Sequence, residues 1–497
     1  MKITVKEIVS AVNGTLLSGS EEIIVTSASV NSREIEAGAL FVPVIGEKVD
    51  GHRFIDGAFE SGAVATFVAA TAEISKFQEG KAYIQVENTV KALQALGSWY
   101  RDQFTMPLIG ITGSVGKTTT KEMVGAALAT KYNVIKTLGN MNSQIGLPLM
   151  MFHFEPSHEV AVIEMGMSEE GEMERLSAIA KPDMAIMTNI GVAHIGQLGS
   201  QENIRREKLN LINKTAGNFA VEKAFSDKNT GTTKGKRKLF LNGDDKLLRE
   251  IKEASESVAM TEQTKAALIE TDCVLFGLEE DFDFYGKDVH VKDGKTHFTL
   301  VYPEGEEEIV LSVLGLHNVE NALVALSVAY ELGINPSVAK QGLLEYQPIA
   351  MRGQIYCHNG MTIVDDTYNA SPDSMKSSVN VLLQMEPLNR RIIVLGDVLE
   401  LGEVSRQCHY EVGTFIAKAV YQGKVVDEVV TVGTEARAIA EGVKETEGGE
   451  GIIVHSFETN EDALGYLKEK AEEKTGIIVK GSRGMHMETI VNGLLEK

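Results

Sequence analysis

The sequence predicts an α/β protein of three domains, and three observations carry that expectation. The chain is 497 residues long, more than one ordinary core accommodates and enough for about three units. Short apolar runs that end in a polar residue alternate with helical segments along most of it, the pattern of parallel sheets covered by helices. The third observation is the run Pro107-Leu-Ile-Gly-Ile-Thr-Gly-Ser-Val-Gly-Lys-Thr-Thr-Thr120, in which an apolar strand breaks into a glycine-bearing turn and then a helix start.

Residues 1–100 form the first expected unit, a small α/β domain. Its strand candidates are Ile23 to Val25, Ala39 to Val44, Val64 to Val68 and Ala82 to Val86. The second unit, 101–335, begins at the glycine-bearing run, with a strand from Leu108 to Thr112 and a helix carrying Met123, Val124, Ala127 and Leu128 at helical spacing. Strand-like runs follow at Val160 to Glu164 and Met184 to Asn189. In parallel sheets ligands sit beyond the carboxyl ends of the strands, where Thr112, Glu164 and Asn189 fall. Ser226 to Lys238 and Glu279 to Lys287 are expected as surface loops, and Tyr302 to Glu308 as a solvated hairpin turn. An alanine- and valine-rich helix after Gly315-Leu-His-Asn-Val-Glu-Asn-Ala322 is ended by Gly333-Ile-Asn-Pro336. The third unit, 336–497, is Rossmann-like in pattern, with strand candidates at Thr362 to Val364, Arg391 to Leu395, Glu428 to Val432, Ile452 to His455 and Gly476 to Val479. Glu445 to Gly451 reads as a peripheral loop.

The glycine-bearing turn has the chemistry of a phosphate cradle. Gly113 and Gly116 let backbone N–H groups point at an anion, Lys117 can reach outer phosphates, and Thr118 can offer a hydroxyl to magnesium. The strict pattern G-x-x-x-x-G-K-[ST] requires glycine where Ile111 stands, so the strand, turn and helix context carries the assignment. Glu164, ending an apolar strand, can face the same crevice and suits Mg²⁺, which prefers oxygen ligands shared with phosphates; a surface glutamate at a strand end is the plainer alternative. His194, in the loop after the next strand, is a second metal or phosphate neighbour or simply a solvated side chain.

Lys208 falls on the apolar stripe of its helix, four residues after Ile204 and in line with Leu211 and Ile212. Its stem snorkels to water, or the lysine stands inward beside a charged site and is chemically modified. In the third unit, Val364-Asp-Asp-Thr-Tyr-Asn-Ala-Ser-Pro-Asp-Ser-Met375 ends a strand with paired carboxylates, Met351-Arg-Gly353 supplies a fixed cation, and Lys480-Gly-Ser-Arg-Gly484 supplies two more. Three such polar loops in one unit indicate a ligand face.

Composition excludes several classes. Apolar residues make up 43% and charged residues 24%, with 10 prolines, which is a globular rather than a disordered or fibrous balance. A formal charge of −22 disfavours nucleic acid as a partner, since phosphate backbones are held by clustered Lys and Arg. Cys273, Cys357 and Cys408 are odd in number and far apart, which suits a reducing compartment and offers neither a disulfide framework nor a metal-ligand spacing. The start MKITVKEIVSAVNG reads as neither signal peptide nor anchor, and nowhere do about 18 apolar residues run together to span a membrane. The expected address is the cytoplasm.

Together these segments resemble the Mur ligase family over nearly the whole chain. The marks are Thr112-Gly-Ser-Val-Gly-Lys-Thr-Thr119, Gly139-Asn-Met-Asn-Ser-Gln-Ile-Gly-Leu-Pro148, Glu164-Met-Gly-Met-Ser168, Gly315-Leu-His-Asn-Val-Glu-Asn321, Asp365-Asp-Thr-Tyr-Asn-Ala-Ser-Pro372, Leu395-Gly-Asp-Val-Leu-Glu-Leu-Gly402 and Lys480-Gly-Ser-Arg483. The last three are most like the branch that adds D-alanyl-D-alanine. The resemblance implies an N-terminal UDP-sugar domain, a central P-loop ATPase and a C-terminal domain that closes on the nucleotide. It implies ATP and Mg²⁺ as cofactors, and small-molecule substrates, UDP-N-acetylmuramoyl-tripeptide and D-alanyl-D-alanine, handled by a monomer. Gly113, Ser114, Val115, Gly116, Lys117, Thr118 and Thr119 would surround the ATP phosphates. Asn318 and Asn321 would lie near the base, with Arg352, Asp366 and Asn369 approaching ribose and phosphates. Thr118, Glu164, His194 and Lys208 would sit around magnesium, Lys208 as the family's carbamylated lysine, and Lys117, Glu164, His194 and Lys208 would be catalytic. Ser32, Arg33, Asn140, Asn142, Lys480, Ser482 and Arg483 would meet the other substrates. Val115, Ser143 and Asn31 depart from common family residues, Asn31 in the segment expected to meet the UDP-sugar peptide. A ligase for another amino acid, and a nucleotide-binding paralogue without turnover, are the competing expectations.

Overall fold

The computed structural model describes residues 1–216, 237–470 and 472–496, so the expected loop from Ser226 lies outside the described residues as far as residue 236. The first unit contains β1 (Ile3–Thr4), β2 (Thr15–Ser18), β3 (Ile24–Val25), β4 (Ser27–Ser29), β5 (Ala39–Phe41), β6 (Ala65–Ala69) and β7 (Ala82–Val86). β1 pairs with β3, and the rest form a sheet of order β2-β7-β6-β5-β4, parallel except at β2. The second expected strand stops at Phe41 rather than Val44, because Pro43 has no N–H to donate to a ladder.

The helix Thr89–Arg101 straddles residue 100. Asn88 caps it by accepting the N–H groups of Val90 and Lys91. Its buried side Leu93, Leu96 and Tyr100 joins a continuous apolar core that runs from Ile8 through Met150 and Phe154 to Leu211. A Cβ at Gly97 would meet Pro148 at 2.7 Å, so the helix lies directly on the next unit.

In the second unit β8 (Leu108–Thr112), β9 (Val134–Lys136), β10 (Val160–Glu164), β11 (Met184–Met187), β12 (Arg237–Asn242), β13 (Thr271–Gly277), β14 (Phe284–Lys292), β15 (Lys295–Tyr302) and β16 (Gly305–Leu311) form one sheet of order β16-β15-β14-β13-β12-β11-β8-β10-β9. β8 is buried throughout, between β10 and β11. One face is covered by the helices Lys117–Ala129 and Leu316–Glu331, whose Met123, Val124, Leu323 and Val328 share a core. Fully burying each such side chain contributes about 1.5–3 kcal/mol.

Two expectations change here. The expected parallel sheet carries an antiparallel edge, β14 to β16, and the expected loop Glu279 to Lys287 contributes Phe284 to Lys287 to β14. Residues alternate between a buried and a solvated face along this edge, so its sequence is as polar as a loop. The hairpin turn falls at Pro303 and Glu304, while Glu306 to Glu308 are paired in β16.

The third unit contains β17 (Gln354–His358), β18 (Met361–Asp365), β19 (Arg390–Gly396), β20 (Glu428–Val432), β21 (Ile453–Phe457) and β22 (Thr475–Lys480), in the order β17-β18-β22-β19-β20-β21. All but the edge strand β17 are parallel. The carboxyl ends of β18, β19 and β22 face the carboxyl ends of the second unit's strands across a cleft of about 510 Å³.

Candidate active site

The cradle forms because β8 ends at the sheet's centre and the chain must turn into a helix within four residues. Gly113 has φ 150°, and a Cβ there would stand 1.9 Å from Thr188 Oγ1, so no side chain fits. Ile111, at the position where the strict motif has glycine, is buried within β8 and belongs to the sheet. Asn189 Oδ1 accepts the N–H groups of Ser114 and Val115 at 3.1 and 2.8 Å, and Asn189 Nδ2 and Thr188 Oγ1 donate back to the Val115 carbonyl. Val115 therefore contributes backbone groups here, which is why its side chain is free to vary. Ser114 Oγ accepts from Gly191 N–H at 2.9 Å.

Lys117 Nζ donates to the Gly113 carbonyl at 2.8 Å and lies in the field of Glu164; burial holds its pKa below the usual lysine range, against that carboxylate. Thr118 donates to Glu164 Oε2 at 3.0 Å, and Asn142 Nδ2 to Glu164 Oε1 at 2.9 Å. Thr137 fixes the Glu164 backbone by accepting its N–H at 2.8 Å. Thr119, Asn140 and His194 also line the cleft. Lys208 does not snorkel: it is 1% exposed, its ammonium donates to the Gly113 carbonyl at 3.1 Å, and burial followed by repulsion from Lys117 pushes its pKa well below the usual value.

Thr118 hydroxyl, the Glu164 carboxylate and open cleft beside them make a donor set that fits Mg²⁺, which takes one or two protein oxygens and shares the rest with phosphates and water. His194 is a nitrogen donor and fits that ion less well. Its Nδ1 instead lies 3.1 Å from Glu400 Oε2 of the third unit, without the alignment of a hydrogen bond.

On the helix Leu316–Glu331, Asn321 Oδ1 accepts from Thr120 at 2.8 Å and Asn318 donates to the Leu314 carbonyl. Both face the cleft with His317, whose pKa burial lowers to about 4, and Glu320, whose pKa burial raises to about 7. The opposite wall carries Arg352, stacked 3.9 Å over the Tyr368 ring, with Asn369 and Asp366. Lys480 Nζ pairs with Asp366 Oδ2 at 2.7 Å and donates to the Asn369 carbonyl at 3.1 Å.

Four of the expected residues lie elsewhere. Ser32 and Arg33 belong to the first unit, where Asn31 Oδ1 accepts the Arg33 N–H at 3.1 Å. Ser482 is buried and its hydroxyl accepts the Leu399 N–H at 2.9 Å. Arg483 pairs with Glu488 outside the cleft. Ser143, the other departure, accepts the Gly146 N–H through its hydroxyl. Thr188, Tyr346, Tyr368, Asp373 and Glu400 line the cleft without having been singled out from sequence; Tyr368 and Asp373 stood inside the quoted run Val364 to Met375, and Glu400 inside Leu395 to Gly402.

A P-loop on a parallel sheet, a carboxylate and hydroxyl beside it, and a facing wall of cations from a second Rossmann-like unit define a nucleotide-using enzyme whose site is completed between units. The sequence matches the Mur ligase middle domain over residues 111–238 and 233–329, the Mur ligase glutamate ligase domain over 351–483, and the Mur ligase family catalytic domain over 25–101. It is 37% identical to the UDP-N-acetylmuramoyl-tripeptide--D-alanyl-D-alanine ligase of Bacillus subtilis (strain 168), over all of this chain and 99% of that one. The ligase of the same name from Escherichia coli (strain K12) is 29% identical, again over 100% and 99%. Among solved structures, MurF from Acinetobacter baumannii superposes with a TM-score of 0.84 at 28% identity, covering 100% and 99% of the two chains. MurF ligase from Thermotoga maritima in complex with ADP gives 0.76 at 28% identity over 94% and 96%. The chain belongs to the Mur ligase family.

Proposed function

We infer that this chain is an ATP-dependent amide ligase that joins D-alanyl-D-alanine to UDP-N-acetylmuramoyl-tripeptide in peptidoglycan precursor synthesis. The observation that carries it is the cleft itself: Lys117, Thr118 and Glu164 on one wall face Arg352, Asp366 and Lys480 on the other, in a chain similar along its full length to ligases of that name. We assign the residues around 1–100 to the UDP-sugar peptide, with Ser32 and Arg33 as its contacts, 101–335 to ATP, and 336–497 to closure and the incoming amine.

A carboxylate is a poor acylating agent. The tripeptide's terminal carboxylate oxygen attacks the γ-phosphorus of ATP, ADP leaves, and the resulting acyl phosphate is attacked by the amine of D-alanyl-D-alanine; an amide forms, inorganic phosphate leaves and the amine gives up a proton. Two anions must be brought together in the first step, so positioning and neutralisation carry most of the catalysis. The cradle N–H groups and Lys117 hold phosphate oxygens, and Arg352 adds a fixed charge from the other wall. Mg²⁺, held by Thr118 and Glu164, would neutralise the β- and γ-phosphate oxygens.

Burial keeps the Lys208 amine uncharged more readily than an exposed lysine, which makes it a nucleophile for carbon dioxide. The uncharged amine attacks the carbon, the N–C bond forms, one proton is lost, and the neutral side chain becomes an anionic oxygen ligand beside the cradle. We assign Asn140, Asn142 and Lys480, which line the cleft, to the substrate carboxylate and amine. No described helix is long and apolar enough to cross a membrane; with three free cysteines this supports a cytoplasmic address, and sedimentation velocity tests the expected monomer.

The deciding experiment is phosphate release from ATP with UDP-N-acetylmuramoyl-tripeptide and D-alanyl-D-alanine, each omitted in turn, with mass spectrometry of the product. Release that needs both, with a pentapeptide product, is expected. Turnover only with another amine reassigns the substrate, and no turnover with lysine- or diaminopimelate-containing tripeptide favours a non-catalytic paralogue.

A further inference from the structure

The loop between β11 and the helix Gln201–Leu209 is the part of the second unit that touches the third most closely. A Cβ at Gly191 would stand 2.7 Å from Asp373 Oδ2, and one at Gly196 would stand 3.2 Å from the Glu400 carbonyl oxygen. Between these two contacts sits His194, with φ 66°, and facing it Glu400, with φ 73°. Left-handed backbone is uncommon for residues other than glycine and is strained at each position. Two such residues facing each other across a unit boundary need a reason.

His194 Nδ1 is buried and has no aligned hydrogen-bond partner, and Glu400 Oε2, 3.1 Å away, is the acceptor within reach. Contact with the imidazole holds the Glu400 carboxyl below its usual range, against desolvation. The backbone that leads into Glu400 is anchored, while its side chain stays 59% exposed. Leu399 N–H donates to Ser482 Oγ at 2.9 Å, Ser482 N–H to the Asp397 carbonyl at 3.0 Å, and Val398 N–H to His409 Nε2 at 2.9 Å. His409 Nδ1 in turn lies 2.8 Å from the Ser405 carbonyl, which fixes its tautomer. The Glu400 loop is thereby tied to the segment just after β22, the strand that ends in Lys480.

We propose that Glu400 is a positioning residue for His194: its carboxylate, delivered by the third unit, accepts the Nδ1 proton and so orients the ring within the cleft only when the two units are together. A carboxylate on one ring nitrogen sets the tautomer and leaves the other nitrogen as the free lone pair. Ser482, expected from sequence to meet substrate, acts two links away by holding the loop. The assignment rests on the ligase reading above, because it gives His194 a task in that reaction.

The test compares Glu400→Ala, Glu400→Gln, His194→Gln and the double variant His194→Gln/Glu400→Ala in the full-length enzyme. Glu400→Ala is expected to lower kcat about 10–100-fold, with KM for ATP and for the tripeptide within about twofold and the melting temperature unchanged. Glu400→Gln, whose amide oxygen accepts the same bond, keeps most of kcat. In the His194→Gln background Glu400→Ala costs nothing further, since it acts through the ring it no longer has. Nitrogen-15 spectra of labelled histidine rings, taken on the protein without substrates, show the Nδ1-protonated tautomer for His194, lost in Glu400→Ala. An undiminished kcat in Glu400→Ala, additive losses in the double variant, or an unaltered ring spectrum overturns the assignment. Failure of the wild-type protein to turn over would count against the ligase reading alone, since the ring spectrum needs no substrate.

Discussion

Two basic side chains are buried at opposite ends of the same central sheet, and their surroundings differ completely. Arg101, 0% exposed at the amino ends of the strands, donates to the carbonyls of Ala180, Phe104 and Met106 and pairs with Asp183 at 3.3 Å. Asp183 also accepts the Leu108 N–H and the Thr215 hydroxyl. Lys208, 1% exposed at the carboxyl ends, has one carbonyl at 3.1 Å, and among the described residues no carboxylate pairs with it. Nearby Thr112 Oγ1 is buried without a partner. A buried basic group whose every nitrogen is hydrogen-bonded holds structure together; one left under-satisfied marks the end of the sheet where ligands are handled.

The comparison can be broken most severely at Lys208. Lys208→Met removes the amine that the proposed carbamate needs, and kcat is expected to fall on the order of 10³-fold while the urea unfolding midpoint holds or rises, since a desolvated polar group is replaced by apolar packing. Lys208→Arg does not restore activity, because a guanidinium stays protonated and takes up no carbon dioxide. A fully active Lys208→Arg enzyme would end the carbamate assignment.

At the other end, Asp183→Ala leaves Arg101 charged and unpaired, and equilibrium unfolding is expected to show a loss of about 3–5 kcal/mol with kcat of the folded enzyme preserved. A stability loss below about 1 kcal/mol would mean that the carbonyls alone satisfy the guanidinium.

Glu320 sharpens the contrast through pH. Burial, then the nearby Asp244 charge, raises its pKa from 4.5 to about 7 in the folded protein. Between those values the folded state binds the extra proton and the unfolded state does not, so Glu320's contribution is fully present below pH 4.5 and is lost as pH rises through 7. Melting temperatures of Glu320→Gln are expected to fall less than wild type's between pH 5 and 8, the variant being the more stable at pH 8; parallel curves would refute the shift. The smallest expected effect is at Ser482. Ser482→Ala removes one hydrogen bond from the Glu400 loop, net about 1 kcal/mol, and lowers kcat about fivefold without the loss of KM that a direct substrate contact would produce.

Much of this was legible along the chain. The strand from Leu108 to Thr112 and those ending at Glu164 and Val432 read correctly because strands buried on both faces are apolar runs with abrupt polar ends. The antiparallel edge from Phe284 to Leu311 did not, since a half-solvated strand such as Phe284–Lys292 mixes buried and charged positions. Gly113, Lys117, Thr118, Glu164 and Lys208 could be named as candidates because a phosphate cradle and an inward lysine leave local patterns. Glu400 and Tyr368 stood inside quoted motifs without being marked out there, and Thr188 left no pattern at all; each draws its place from a partner on another segment: Glu400 from His194, Tyr368 from Arg352, Thr188 from the Val115 carbonyl.

Sequence by itself determined the periodicities, the glycine that alone fits beside Thr188, and the residue types able to hold phosphate, because these depend on a few neighbouring residues and on local sterics. Only the tertiary structure decided that Lys208 lies under Gly113 with no paired carboxylate among the described residues, that Ser482 holds a loop, and that a carboxylate from the third unit meets a histidine of the second. Those outcomes depend on which surfaces exclude water from one another, and burial is a property of the assembled chain.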